Sequence, residues 1–347
     1  MNKRLIYVDA LTAATFFVVL LHTAAGNLNY VKIGSFEWNV FNFYDSISRF
    51  GVPVFVMISG MFLLNPNKDV SLRDIYRKYI FRIVKSFVFW SLLYALYTNV
   101  NNYDSFNSDI FVKNFISGHY HLWYLYMIVG LYAITPILRK IAADKEVSRY
   151  FLLLSLIFVF ILPMIIKSFN VEFLEMIIKK FDFHIVLGYA SYYLGGYYLR
   201  VYNIKKGNRK VIYILGILGA ISTVVLTAMA SLKTGKTEGA FYSYFSPNVM
   251  LVSISVFIFF KYEISKIKFS RKSIAAIETL SNCSFGIYLI HDFFNMFFSC
   301  MGIDTMNYNP LLSVLATTLL VYCASLLVSY IMAKVPFLKN TLLHDKF

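Results

Sequence analysis

The chain has 347 residues, of which 59% are hydrophobic and only 15% charged, with a mean hydropathy of +0.62. That balance excludes an ordinary soluble domain and predicts an all-α integral membrane protein. The net charge of +15 would suit a nucleic-acid partner on a folded basic domain, but here it is spread over short loops between apolar runs, so no nucleic acid is expected.

Apolar runs of roughly 17–25 residues, the length that crosses a bilayer, predict about ten transmembrane helices. They fall near 5–26, 46–64, 80–98, 121–138, 150–167, 184–201, 211–230, 247–261, 283–301 and 311–333. The loops are short enough to leave no separate soluble domain, so residues 1–347 read as one transmembrane domain. No duplicated half, the mark of many transporters, is visible. Lys and Arg crowd into alternate segments: the N-terminus, 68–85, 139–149, 200–210, 261–272 and the C-terminus. By the positive-inside rule both termini are then cytoplasmic, and the net charge needs no anionic partner. Cys283, Cys300 and Cys323 show no metal-ligand spacing, and no metal site is expected.

The first span, LIYVDALTAATFFVVLLHTAAG, carries His22 near its outer end. Ionisable residues within spans default to functional candidates. Imidazole titrates closest to working pH, so His22 is the candidate general base. Asp9 lies 13 residues earlier, roughly 20 Å along a helix, so it cannot orient His22. In the second span, SISRFGVPVFVMISGMFLL, Arg49 begins the returning helix at a similar depth; interfacial snorkelling would account for it, but its place before GVPVF argues for a fixed guanidinium for an anion or an acceptor hydroxyl.

The stretch RDIYRKYIFRIVK opens the third span. Lys78, Arg82 and Lys85 share one helix face and, with Arg77, offer a cytoplasmic site for a phosphate-bearing ligand; positive-inside anchoring alone also accounts for them. The fourth span opens GHYHLWYLY. His119 and His121 have no third ligand nearby in sequence, and His121 with Trp123 is placed at the outer mouth, suited to a sugar-like acceptor or to an interfacial aromatic belt. In the ninth span, SNCSFGIYLIHDFF puts His291 and Asp292 well inside a helix, where both require partners.

Several segments together resemble the membrane-bound acyltransferase 3 family, whose members O-acetylate cell-surface polysaccharides and related glycans. They are Tyr7-Val-Asp9 leading to LLHT around His22, NFYDSISRFGVPVFVMISGMFLL from Asn42, RKYIFRIVKSFVFW from Arg77, HLWYL from His121, TPILR from Thr135 and SFGIYLIH from Ser284 to His291. They follow the family's order along almost the whole chain; adhesin- and serine-racemase-type membrane modules share them. The resemblance implies an acetyl-CoA-dependent O-acyltransferase of the plasma membrane. His22 matches the family's first-helix histidine, and Arg82 the second arginine of a donor-associated pair whose first position is Tyr79 here. The expected partners are acyl-CoA, a glycan or lipid-linked sugar acceptor and the bilayer, with donor contacts at Arg77, Lys78, Arg82 and Lys85 and weaker acceptor contacts at His121, Trp123 and His291. The competing reading is a carrier or exporter of glycan intermediates or of a small amino acid, its polar residues lining a path.

Overall fold

A computed structural model describes residues 5–68, 70–102, 106–169, 173, 176, 180, 183–335 and 338. The chain ends, where the cytoplasmic assignment of the termini falls, lie outside the described residues. Those described form helices joined by short turns. Nine helical segments are long and apolar enough to cross a membrane, from Ile6–Ala25 to Pro310–Lys334. The span expected at 184–201 is the helix Phe183–Val201, which is not among the nine.

In chain order the helices are α1 (Ile6–Leu11), α2 (Ala14–Ala25), α3 (Phe36–Ser48), α4 (Gly51–Leu63), α5 (Phe81–Asn102), α6 (Ser108–Ser117) and α7 (Trp123–Ala143). There follow α8 (Lys145–Ser155), α9 (Leu162–Phe169), α10 (Phe183–Val201), α11 (Lys206–Thr234), α12 (Pro247–Tyr262), α13 (Arg271–Cys300) and α14 (Pro310–Lys334). Several run past the expected bounds. The second span starts at Phe36 rather than 46, because Ser35 caps α3 by accepting the Trp38 N–H at 3.1 Å and α3 buries Trp38, Phe41, Asn42, Tyr44 and Asp45. Arg49 therefore does not open the span: it sits at the α3–α4 junction, halfway along. Pro53 falls in the first turn of α4, where its missing N–H costs nothing.

The first span is also divided. Between α1 and α2 the Thr12 hydroxyl donates to the Asp9 carbonyl at 2.6 Å and the Thr15 hydroxyl to the Thr12 carbonyl at 2.8 Å. Side-chain hydroxyls thus occupy backbone acceptors where the ladder is interrupted.

With lipid outside the bundle, helix association depends on close packing more than on apolar transfer. At the crossing of α4 and α10 a Cβ on Gly60 would lie 1.8 Å from the Tyr193 carbonyl oxygen, and one on Gly196 would lie 2.0 Å from that of Met57. Neither position admits a side chain, and the two backbones touch. The main core is continuous with this contact, running through Val54, Met57, Met61, Tyr193, Leu194 and Phe257. A smaller cluster of Val19, Cys283, Ile287 and Val321 joins α2, α13 and α14, and so fixes the helix carrying His22 against the helix carrying His291.

Candidate functional site

Three elements converge near one end of the bundle: the last turn of α2, the C-terminal third of α13 and the Tyr120–Leu122 turn before α7. Gly118 releases that turn from α6. Its φ of +74° with ψ of 164° is open to glycine alone, and a Cβ there would meet the Phe87 ring at 2.8 Å. The chain thereby turns inward, and His121 is buried at 1% exposure rather than standing at an outer mouth.

His22 Nδ1 lies 2.6 Å from His291 Nε2, with the ring planes within 12° of each other and their centres 4.8 Å apart, the edge-to-edge arrangement of an in-plane N–H···N bond. His291 Nδ1 lies 2.7 Å from the Tyr288 carbonyl oxygen. A carbonyl only accepts, so His291 Nδ1 carries the proton and, in the neutral ring, Nε2 accepts. His22 must then donate from Nδ1, which leaves its Nε2 lone pair uncommitted. One backbone carbonyl thus sets the tautomer of two imidazoles in series. The group that orients His22 is a histidine from another helix, and not a carboxylate.

The second layer is polar and packed. Asp292 Oδ1 accepts from Tyr120 Oη at 2.7 Å and Asn295 Nδ2 at 3.4 Å, while Oδ2 lies 3.2 Å from His119 Nδ1. His119 Nδ1 also lies 3.1 Å from His121 Nδ1. Asp292, remote in sequence, is therefore the third group that the His119–His121 pair lacks locally. Tyr94 of α5 stacks on His119 at 4.5 Å, donates to the Leu289 carbonyl at 2.9 Å and accepts from the Phe293 N–H at 3.1 Å. Its hydroxyl enters the α13 ladder one turn around His291 and locks the rotation of that helix.

Arg49 is paired. Its Nη2 meets Asp45 Oδ2 at 2.5 Å, one helical turn back, and its guanidinium lies 4.4 Å from the centre of the Tyr242 ring. Asp45 is fully buried, and Asp45 Oδ1 and Arg49 Nε have no hydrogen-bond partner among the described residues. Trp123 stacks on Tyr244 at 5.9 Å and 26°, and lies 5.8 Å from Tyr189.

A cavity of about 460 Å³ runs between α1, α4, α7 and α13. At one end it is lined by Asn65, Lys68 and Arg200, and at the other by Val18, Tyr124 and Tyr288. Val18 precedes His22 by four residues and Tyr288 precedes His291 by three, so the last lining residues lie roughly 4.5–6 Å along the helices from the histidine pair. Asp9 lines its wall and accepts from Ser281 Oγ at 2.8 Å. Two arginines that sequence reasoning did not single out shape the basic end, Arg200 lining it and Arg139 holding the Leu63–Lys68 turn behind it. Arg200 donates to the Met61 carbonyl at 2.8 Å, and Arg139 donates to the carbonyls of Leu63 at 3.4 Å, Pro66 at 3.3 Å and Lys68. Two of these are last-turn carbonyls of α4 with no intrahelical donor, which cations satisfy. Arg139 had one visible signal, the TPILR segment; Arg200 had only its place at the end of the sixth apolar run.

The four cations of the third span stand elsewhere. Arg77 and Lys78 are exposed, and Lys78 bonds Asp74 at 2.6 Å. Arg82 and Lys85 are half-buried, with the Lys85 ammonium 5.1 Å from the Phe81 ring centre. None of the four is among the residues lining the cavity, which Ile83 of the same helix reaches. The structure therefore brings His22 and His291 together, sets His121 beside them, and keeps the basic face apart from the cavity.

No curated protein and no solved structure matches this chain. One family model does, described as an acyltransferase domain and covering residues 10–334. A many-helix membrane bundle with a histidine pair just beyond one end of an internal cavity is thus joined to a match over nearly the whole chain, and the protein belongs to the acyltransferase 3 family.

Proposed function

We propose that this multi-pass protein lies in the plasma membrane with its Lys- and Arg-rich end inward, and moves an acyl group, acetyl in the simplest case, from cytoplasmic acyl-CoA to a hydroxyl of an envelope glycan or its lipid-linked precursor. The observation that carries the reading is the Tyr288 carbonyl–His291–His22 chain, which leaves His22 Nε2 as a free proton acceptor. In the proposed reaction Nε2 takes the proton of the acceptor hydroxyl as its oxygen attacks the thioester carbonyl carbon. The C–O bond forms, the C–S bond breaks, and the CoA thiolate recovers the proton from His22. Arg49, held by Asp45 and Tyr242, supplies a fixed positive charge toward the oxygen that becomes anionic.

The pantetheine arm takes the cavity, with its phosphates toward Lys68 and Arg200. Arg77, Lys78, Arg82 and Lys85 then act on the donor as an outer rim that attracts its charge. The test is release of the CoA thiol from acetyl-CoA by protein in nanodiscs, together with the acyl content of envelope glycan in cells. Loss of both in His22→Ala, with protein level unchanged, is the expected result. Full acylation by that variant overturns the reading, and thiol release without acyl gain by any glycan moves the acceptor to another class of hydroxyl.

A further inference from the structure

His119, His121 and Asp292 place one ligand atom each within 4.8 Å of one another. His119 Nδ1 is 3.1 Å from His121 Nδ1 and 3.2 Å from Asp292 Oδ2. Three heteroatoms at this spacing compete for one hydrogen. If His119 Nδ1 carries it, the proton is shared between a carboxylate and a second imidazole; if it does not, lone pairs face each other at contact distance. A single cation satisfies all three. Ligand atoms about 2.0–2.2 Å from a tetrahedral ion stand roughly 3.3–3.5 Å apart, close to the two separations centred on His119, while the third edge, His121 to Asp292, lies within 4.8 Å and closes on the ion by side-chain rotation.

A buried histidine serving only the core has both ring nitrogens bonded. His121 is 1% exposed, yet its Nε2 has no hydrogen-bond partner among the described residues. With Nδ1 on a metal the neutral ring is fixed as the Nε2–H tautomer. The surrounding contacts also suit a metal centre. Tyr120 and Asn295 hold the far oxygen of Asp292, Tyr94 covers the His119 ring, and Tyr288 Oη donates to the His121 carbonyl. Such outer contacts fix the orientation of metal ligands.

We propose that His119, His121 and Asp292 form a binding site for a divalent transition metal, with zinc the ion their two imidazoles and one carboxylate fit best. Three protein ligands leave a fourth position open, next to the His22–His291 pair: the rings of His121 and His291 are 4.9 Å apart. An oxygen bound there is polarised where His22 takes a proton. Metal binding does not depend on the acyl-transfer reading, and its failure leaves that reading standing.

The test uses the full chain in nanodiscs, stripped with a chelator and returned to Zn²⁺. Elemental analysis should find a single zinc per chain, and competition with a chromogenic chelator should give its Kd. Co²⁺ in its place should show the visible bands of a four-coordinate ion. His119→Gln and Asp292→Asn should weaken Zn²⁺ at least tenfold, and Tyr120→Phe, which removes only the hydrogen bond to Asp292, about tenfold. His22→Ala should bind as the parent does. Each variant is checked by size-exclusion profile, and Tyr120→Phe carries the test if a ligand variant does not fold. Uptake well below one zinc per chain by the parent, or parent-like affinity in the folded variants, overturns the proposal.

Discussion

Replacing His291 tests the base-positioning chain most directly. His291→Leu keeps most of the side-chain volume and removes the acceptor for His22 Nδ1, which now stands 2.6 Å from His291 Nε2. The His22 Nδ1–H is then left without its bond, and the ring is free to adopt the other tautomer, with Nε2 protonated and useless as a base. An unsatisfied buried donor costs about 1–3 kcal/mol, and at 1.4 kcal/mol per tenfold this lowers kcat about 5- to 150-fold. His291 acts through His22 and not on the reacting atoms, so the loss should fall on kcat and leave KM for the acyl-CoA within about twofold. His22→Ala, which removes the base itself, should lose about 10²–10⁴-fold. His291→Gln returns an acceptor oxygen and should recover part of the rate. The measurement is the initial rate of CoA thiol release at varied acyl-CoA. A His291→Leu enzyme with the parent rate, or a His291→Gln enzyme no better than His291→Leu, refutes the positioning argument.

Other substitutions probe the supporting structure. Asp45→Asn removes the only charge paired with Arg49 among the described residues, at a site where Asp45 is fully buried. Breaking such a pair costs about 3 kcal/mol, so a clear fall in thermal midpoint is expected, and the double variant Asp45→Asn with Arg49→Met should regain part of it. Gly60→Leu sets a side chain where the Tyr193 carbonyl already lies, and should prevent α4 and α10 from docking, read as loss of the monodisperse peak in detergent. At the cavity mouth Lys68→Gln should raise KM for acyl-CoA about tenfold, as expected for a lost charge-assisted contact, whereas Arg77→Gln, exposed and away from the cavity, should change it little. Equal effects of the two on KM would return the donor site to the outer basic face.

The membrane character, the helical class, the approximate spans and the candidacy of His22 were legible in the amino-acid sequence, for one physical reason. Lipid penalises polar atoms strongly enough that apolar run length reports a helix, and any ionisable residue kept within one stands out. The same logic picked out Arg49 and His291 individually. Contacts that join distant segments were not legible. Nothing local to His22 indicates that its Nδ1 meets a residue of α13, that the Tyr288 carbonyl settles the proton on both rings, or that Asp292 completes a triangle with His119 and His121. Those contacts exist because α2 packs on α13 through Val19, Cys283 and Ile287, and because Gly118 turns the chain inward. The basic face was visible as a run of cations, but helix rotation directs Ile83 to the cavity and leaves Arg77 and Lys78 exposed. The residue types are written along the chain; which of them share a proton is decided only when close packing of the helices sets their rotation and depth.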